Sequence, residues 1–287
     1  MNINPRALQR KVTVVSNKRV GVYNHMVFSV GEMASRIRPG NFVAISVGGP
    51  NSNLILRRAF AVYRASDRGQ YGGTVELVVS AHGAGSSWLA EQKMDATVDM
   101  VGPLGTSFGI PSIPVNALLV GGGYGSAPLF GLAEVLKARN CRVDMVLGAS
   151  TAHKIYAPLE GKRSVSSMTL TTEDGSAGSS GRVTEVLSSL ISKYDSEVIY
   201  SCGPMAMLEA VEKVAQQSGI VHQCAVEESM ACGIGVCMTC VIPLRGDDGV
   251  IRMSRSCIEG PVVDGSKVIW GSSRALPEGT WGAPNVQ

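Results

Sequence analysis

The sequence is poor in aromatic residues and in charge of either sign. Aromatic side chains make up 5% of its 287 residues and charged ones 17%, and 26 Lys and Arg against 23 Asp and Glu leave a formal net charge of +3. So small a charge, without basic clusters, predicts no nucleic-acid partner. No unbroken apolar run is long enough for a membrane helix, and the first residues, MNINPRALQRKVTVV, lack the apolar centre of a signal peptide. The sequence therefore predicts a protein of the cytoplasm without a membrane anchor.

The chain divides into four segments with different patterns. Residues 1–110 contain five short stretches rich in β-branched and aromatic residues between Gly, Pro and Asn, which is typical of an antiparallel barrel or sandwich. In residues 111–219 strand-like and helix-like patterns alternate, and this predicts a parallel α/β layer. Residues 220–270 are irregular and rich in cysteine. Residues 271–287 have turn formers without periodicity, so we expect a loose tail.

Four of the seven cysteines fall within one short segment, namely Cys232, Cys237, Cys240 and Cys257. Their spacing, C-x4-C-x2-C followed by a distant fourth cysteine, is typical of plant-type [2Fe–2S] ferredoxins. A structural zinc site is the alternative, but such sites usually combine two C-x2-C pairs and this segment has one. Core cysteines without any ligand are a third interpretation.

A glycine-rich turn, GGGYGSAP, separates a predicted strand from a predicted helix. Gly121, Gly123 and Gly125 allow another group to approach the backbone closely, and the N-terminus of the helix is suited to the pyrophosphate of a dinucleotide. The turn departs from the G-x-G-x-x-G pattern because Ser126 stands at the position of the last glycine. A ligand site and a simple tight turn both remain open.

Two weaker signals lie in the first segment. Gly85 and Ser86 open a predicted helix whose amides either bind a phosphate or belong to a capped surface helix. Arg58 lies in a strand of otherwise small and apolar residues, where a guanidinium either faces solvent or binds a diphosphate.

In this order, the Arg-containing strand, the Gly-Ser helix start, the GGGYGSAP turn, the CGPMAML segment and the cysteine motif resemble the ferredoxin–NAD(P) reductase superfamily. More specifically, EESMACGIGVCMTCVIP followed by CIEGPVVDG is similar to the electron-transfer subunits of NAD-dependent dihydroorotate dehydrogenases. The resemblance spans roughly residues 8–270. It implies an antiparallel β-barrel that binds FAD, a parallel α/β domain that binds NAD, and a C-terminal lobe that holds a [2Fe–2S] cluster.

The resemblance also implies which residues meet each cofactor. Those that match the flavin segments are Arg58, Ala59, Phe60, Ala61, Val78, Val79, Ser80, Gly85 and Ser86. The family's flavin strand reads Arg-Pro-x-Ser, so Arg58 matches the diphosphate ligand, whereas Ala59 and Ala61 replace the Pro and the Ser and remove a hydroxyl contact. The glycine-rich turn matches the NAD segment, and the four cysteines match the cluster ligands. Cys202, in a turn at the carboxyl edge of the predicted sheet, is a candidate nicotinamide contact or a packed core cysteine.

The implied function is electron transfer between a partner and NAD. In the family an FMN-containing dihydroorotate dehydrogenase subunit oxidises dihydroorotate in pyrimidine biosynthesis, and its electrons pass through the cluster and FAD to NAD+, in a heterotetramer with two of each subunit. The sequence contains no Ser/His/Asp or Cys/His pair at a local spacing that indicates an organic-substrate site, which agrees with the need for such a partner. Thr172, Glu173 and Asp174, at a predicted strand end, would repel a 2′-phosphate and favour NAD over NADP.

Two alternative functions stay open at this point. One is a flavin and [2Fe–2S] subunit of a ferredoxin:NAD(P) or sulfide-linked oxidoreductase. The other, of a different class, is a zinc-stapled, nucleotide-binding regulatory module without catalysis.

Overall fold

A computed structural model describes residues 7–69, 71–271 and 276–282. The first part of the chain is a closed barrel whose strands run in the order β1-β2-β5-β4-β3-β6, with antiparallel neighbours. Its strands are β1 (Leu8–Val20), β2 (Tyr23–Ser29), β3 (Phe42–Ile45), β4 (Arg58–Ser66), β5 (Thr74–Val79) and β6 (Thr97–Leu104). Two short helices, α1 (Met33–Arg36) and α2 (Ala84–Ala90), connect them.

The barrel forms because its strands alternate between an apolar inner face and an outer face. Met26 and Phe28 of β2 are fully buried, and their neighbours in the strand are not. Five of the six strands coincide with stretches predicted from the sequence. The sixth, β6, ends in Gly102-Pro103-Leu104, which has the composition of a turn, yet it pairs with both β1 and β3 and closes the barrel.

The second part is a seven-stranded sheet in the order β10-β9-β8-β7-β11-β12-β15. Its strands are β7 (Asn116–Gly122), β8 (Arg142–Ala149), β9 (Ser167–Thr172), β10 (Ser179–Ser180), β11 (Val198–Cys202), β12 (Val221–Ala225) and β15 (Val262–Asp264). Four helices pack on it: α3 (Ala127–Ala138), α4 (Pro158–Ser164), α5 (Val183–Tyr194) and α6 (Met205–Ser218). All neighbours are parallel except β15, which runs antiparallel to β12.

The cysteine-rich segment lies between β12 and β15 and contains a hairpin of β13 (Val241–Arg245) and β14 (Ile251–Arg255). The α/β domain was expected to end at residue 219. Because β12 and β15 belong to the α/β sheet, this domain boundary falls between β11 and β12, two neighbouring strands of one sheet. The segment expected to be a loose tail lies partly outside the described residues. Within its described part, Trp281 exchanges backbone hydrogen bonds with Ile251 and Met253, each of 2.9 Å.

The predicted fold class, a barrel followed by a parallel α/β layer and a C-terminal lobe, is confirmed. Among the described residues, no helix has both the length and the apolar character needed to cross a membrane.

Candidate functional site

The barrel wall opens between the first half of β4 and the end of β5. The pairing of these strands runs from Ser66–Thr74 to Val62–Leu77 and stops there, although β4 stays paired with β3 as far as Arg58. Among the described residues, the backbone edges of 58–61 and 78–79 that face each other therefore have no strand partner. The outward side chains of this part of β4, Ala59 and Ala61, are small and exposed. The opening can receive a flat ring system that hydrogen-bonds to backbone groups.

Arg58 and the start of α2 come together at one end of this opening. A Cβ on Gly85 would lie 3.1 Å from Arg58 Nε and 2.9 Å from Val47 Cγ2, so glycine is what allows the helix to start so close to the guanidinium. Arg58 Nη1 donates to the Leu56 carbonyl at 2.8 Å, and this holds the side chain in place. A fixed positive charge beside the unpaired amides of a first helical turn suits a diphosphate.

Ser86, the predicted phosphate contact, uses its hydroxyl within its own turn. Its Oγ accepts from the backbone amides of His82 at 3.2 Å and Gly83 at 3.1 Å and lies 3.1 Å from the Gly83 carbonyl. The side chain is buried. Ser86 thus shapes the start of α2, and its backbone amide is the group left to meet a ligand.

A cavity of about 510 Å³ lies at the carboxyl edge of the α/β sheet, where β7, β8, β9 and β11 end. Gly123 and Gly125 line it, as predicted for a nucleotide-binding turn. Gly121 does not line it. A Cβ on Gly121 would come within 2.5 Å of Ser126 Cβ, so this glycine allows the turn to fold back on the following helix.

Charged side chains also line this cavity. They include Lys154, Glu173 and Arg182, and the Arg182 Nε lies 3.9 Å from Glu173 Oε1. Glu173 belongs to the segment predicted to repel a 2′-phosphate. Arg182 directly precedes α5 and was not predicted as a site residue. Its position just before a helix that follows a strand of the α/β sheet is the sequence signal that could have identified it.

Cys202 is buried beside the cavity and is not one of its lining residues. Burial raises the pKa of its thiol to about 12, and the Glu227 carboxylate adds to the rise, so Cys202 is a neutral thiol. Tyr124 and Glu227 both line the cavity, and the Tyr124 hydroxyl donates to Glu227 Oε1 at 3.2 Å. Burial raises the pKa of Tyr124 to about 12. The predicted nicotinamide contact therefore lies beside the cavity, near these two residues, and does not line it.

The four clustered cysteines lie close together. Cys237 interacts with Cys232, and hydrogen bonds, first from the Thr239 side chain, lower the pKa of Cys237 to about 6. Cys257 interacts with both Cys240 and Cys232, and burial raises the pKa of Cys257 to about 12. Within the described residues, no three His, Cys, Asp or Glu side chains converge tightly enough to hold a single metal ion.

Four neighbouring thiols are the donor set that a two-iron cluster requires, since each iron takes two protein thiolates. The donor set therefore fits a [2Fe–2S] cluster.

The more buried thiol pair rests on the outside of the barrel. Cys240 and Cys257 are almost fully buried and pack with Phe42 and Ala44 of β3. The inward neighbours of these two residues, Val43 and Ile45, belong to the barrel core. The segment from Cys232 to Cys257, the cysteine loop, therefore covers the outer face of β3.

Strand register places this loop next to the barrel opening. In the antiparallel pair of β3 and β4, Phe42 faces Ala61 and Ala44 faces Ala59, so all four side chains lie on one face of the sheet. Neighbouring strands are about 4.8 Å apart. The cysteine loop and the predicted flavin strand are thus adjacent on the same outer surface.

Comparisons with known proteins agree with this geometry. Residues 227–269 match the iron-sulfur cluster binding domain of dihydroorotate dehydrogenase B, and residues 119–213 match the oxidoreductase NAD-binding domain. The electron transfer subunit of dihydroorotate dehydrogenase B (NAD(+)) from Enterococcus faecalis is 32% identical over 265 residues, which cover 91% of this chain and 98% of the relative. The subunit of the same name from Geobacillus kaustophilus is 31% identical over 264 residues, with the same shares covered.

Among solved structures, the NADH-dependent reduced ferredoxin-NADP oxidoreductase studied for flavin-based electron bifurcation is similar with a TM-score of 0.78 and 26% identity. The likeness covers 91% of this chain and 90% of that one. The cytochrome b5 reductase domain of Ulva prolifera nitrate reductase, with a TM-score of 0.62 and 17% identity over 76% of this chain and 95% of that one, shares the fold.

Proposed function

The chain belongs to the family of dihydroorotate dehydrogenase B electron-transfer subunits, and from that membership we propose that it passes electrons from an FMN-containing, dihydroorotate-oxidising partner subunit to NAD+. The single observation that carries this proposal is the contact of Cys240 and Cys257 with the outer face of β3, one strand from the opening at β4. That contact would bring a one-electron centre and a flavin side by side. A flavin supplies the conversion between single electrons and the hydride that nicotinamide exchanges.

We assign the cluster to Cys232, Cys237, Cys240 and Cys257. Cys237 is exposed, Cys232 is half-buried, and Cys240 and Cys257 lie against the barrel, so the cluster would be exposed on the side of Cys237. The amide of Ile234, 3.4 Å from Cys232 Sγ, is placed to donate to a thiolate and to stabilise its negative charge. The protein's part is to hold four thiolates between solvent and β3.

For FAD, we assign the diphosphate to Arg58 and the amides of Gly85 and Ser86, and the ring system to the opening between residues 58–61 and 78–80. The fit rests on free backbone edges and on small side chains at Ala59 and Ala61. Loss of the hydroxyl at Ala61 leaves these backbone groups to hold the ring.

For NAD, we assign the cavity at the carboxyl edge of the sheet, with Gly123 and Gly125 at the pyrophosphate. Glu173 supports NAD over NADP, because its carboxylate lines the cavity and would face a 2′-phosphate.

The partner is proposed to dock over the exposed side of the cluster. Cys237 is exposed, and three exposed apolar side chains of the same loop flank it: Ile234, Val236 and Met238. Exposed apolar groups around a redox centre suit a surface from which a bound partner excludes water. We propose two copies of each subunit in that complex and, because none of the seven cysteines forms a disulfide, a place in the reducing cytoplasm.

The test is to co-express the chain with an FMN-containing dihydroorotate dehydrogenase subunit, purify the complex without oxygen, and measure flavin, iron, zinc and subunit mass. Dihydroorotate and NAD+ should give orotate and NADH in equal amounts, and omitting this chain should abolish NADH formation. A colourless chain that contains zinc would overturn the proposal. So would a complex that reduces ferredoxin or NADP but does not oxidise dihydroorotate.

A further inference from the structure

Three buried polar side chains form a hydrogen-bonded row below the nucleotide cavity, and no role assigned so far uses them. His222 Nε2 lies 2.6 Å from Ser201 Oγ, and His222 Nδ1 lies 2.7 Å from Glu212 Oε2. Ser201 is 0% exposed, His222 2% and Glu212 3%. No solvent reaches the row, so it is not a nucleophile site open to a substrate.

Each member of the row comes from a different element. Ser201 lies on β11, His222 on β12 and Glu212 on α6, whose Gln216 donates to the other carboxylate oxygen at 2.9 Å. Gly265, directly after β15, packs against the row. A Cβ there would overlap Glu212 Oε2 and lie 2.5 Å from His222 Nδ1. The row thus joins two strands and a helix of the α/β layer and is covered by the segment that follows β15.

The row interrupts apolar packing. Ile199 and Val211 belong to one apolar cluster beside it, and Leu208 and Cys224 belong to another. Apolar residues of similar size often give equal or greater stability than buried polar groups. A fully hydrogen-bonded polar network instead favours one arrangement of the elements it joins.

The elements that the row joins also build the cavity. Ser201 is followed by Cys202, Gly203 and Pro204, and Pro204 lines the cavity. The Gly203 Cα is so close to the glycine-rich turn that a Cβ on Gly125 would lie 2.9 Å from it. Within the two turns before Glu212, α6 contributes three further lining residues, namely Ala206, Met207 and Ala210. A shift of β11 or α6 would therefore change the cavity directly.

We propose that Ser201, His222 and Glu212 are positioning residues for the nicotinamide nucleotide. They hold the end of β11 and the first half of α6 at the spacing that the cavity requires. Because a carboxylate only accepts, Nδ1–H donates to Glu212, which leaves Nε2 to meet the Ser201 hydroxyl. The inference rests on the proposed function, since it concerns NAD binding in the assigned cavity.

The sharpest test compares Ser201→Ala with Ser167→Ala in the full-length holoprotein. Ser167, the first residue of β9, donates to buried Asp144 at 2.7 Å, at the end of the sheet opposite the cavity. Both substitutions remove one hydroxyl from a buried ionisable partner in the same sheet. NADH oxidation with a soluble dye as electron acceptor gives KM and kcat, and thermal unfolding gives Tm.

Both variants should lower Tm, but only Ser201→Ala should raise the KM for NADH, by roughly fivefold or more with little change in kcat, because one cavity wall loses its anchor. Glu212→Gln keeps the shape and the acceptor for Nδ1–H, so its KM should lie between those of wild type and Ser201→Ala. If Ser201→Ala does not fold, the KM of Glu212→Gln tests the inference by itself. Equal KM values for wild type, Ser201→Ala and Glu212→Gln overturn the inference. A wild-type chain that binds FAD but does not oxidise NADH overturns the proposed function itself, and the positioning role with it.

Discussion

The cysteine loop and the flavin strand are neighbours on one face of the barrel, yet they are built on opposite principles. In the loop, four thiol side chains would carry the chemistry, and each has a defined partner. In the strand, the side chains at Ala59 and Ala61 have no functional group, and an open backbone edge with one arginine would do the binding. A site made of side chains depends on residue identity, whereas a site made of backbone depends on strand geometry and tolerates substitution.

The largest expected effect is on the side-chain site. Cys240→Ala should abolish cluster binding and lower dihydroorotate-dependent NAD+ reduction more than about 100-fold, because even residues behind a metal ligand change metal affinity 10- to 100-fold. NADH oxidation with a dye should persist, since the flavin site is separate. The matched control is Cys141→Ala, another buried cysteine, which should keep its iron. Equal iron contents in the two variants would contradict the assignment.

A second prediction concerns the one side chain on which the backbone site depends. Arg58→Ala should weaken FAD binding roughly tenfold or more, the usual loss for a hydrogen bond to a charged group. Arg57→Ala is the neighbouring control, because Arg57 pairs with Asp99 and donates to its carbonyl at 3.0 Å, away from α2. Fluorescence titration of the apoprotein with FAD measures both affinities. If the two variants lose FAD equally, Arg58 is not the diphosphate ligand.

A third prediction extends the comparison to the nucleotide cavity, which is lined both by an acidic side chain, Glu173, and by the glycine-rich turn. Glu173→Gln should raise kcat/KM for NADPH roughly fivefold and leave that for NADH nearly unchanged, because it removes repulsion of the 2′-phosphate at a partly exposed position. The adjacent Asp174→Asn is the control, since the Asp174 carboxylate accepts from Ser176 at 2.6 Å and does not line the cavity. An equal gain in both variants would point to general surface charge.

The smallest effect should come from restoring the family's serine in the flavin strand. Ala61→Ser should change FAD affinity by less than roughly threefold, because the backbone already provides the contacts and the side chain is exposed. Ala65→Ser, at the far end of the same strand, controls for a hydroxyl on this surface. A tenfold gain from Ala61→Ser alone would show that the strand needs a side-chain donor after all.

The sequence predicted best where chemistry depends on residue type at a fixed spacing. The cysteine motif indicated an iron-sulfur segment, and the family comparison confirms that segment over residues 227–269. The prediction missed β6, because Gly102-Pro103 has the composition of a turn and only pairing with β1 and β3 makes it a strand. It also missed β12 and β15 as members of the α/β sheet, since β12 carries the polar His222 and Gln223 in place of an apolar run, and β15 has three residues, too few to show a period.

By itself the sequence determined the succession of a barrel, an α/β layer and a cysteine-rich lobe, because local hydrophobic periods and cysteine spacing are properties of neighbouring residues. Only the tertiary structure decided that Phe42 and Ala44 connect the cysteine loop to the flavin strand, because that adjacency depends on the register of β3 against β4. It alone also brought Ser201, Glu212 and His222 into one hydrogen-bonded row. These three residues lie on separate elements, and their contact exists only because β11, β12 and α6 pack together.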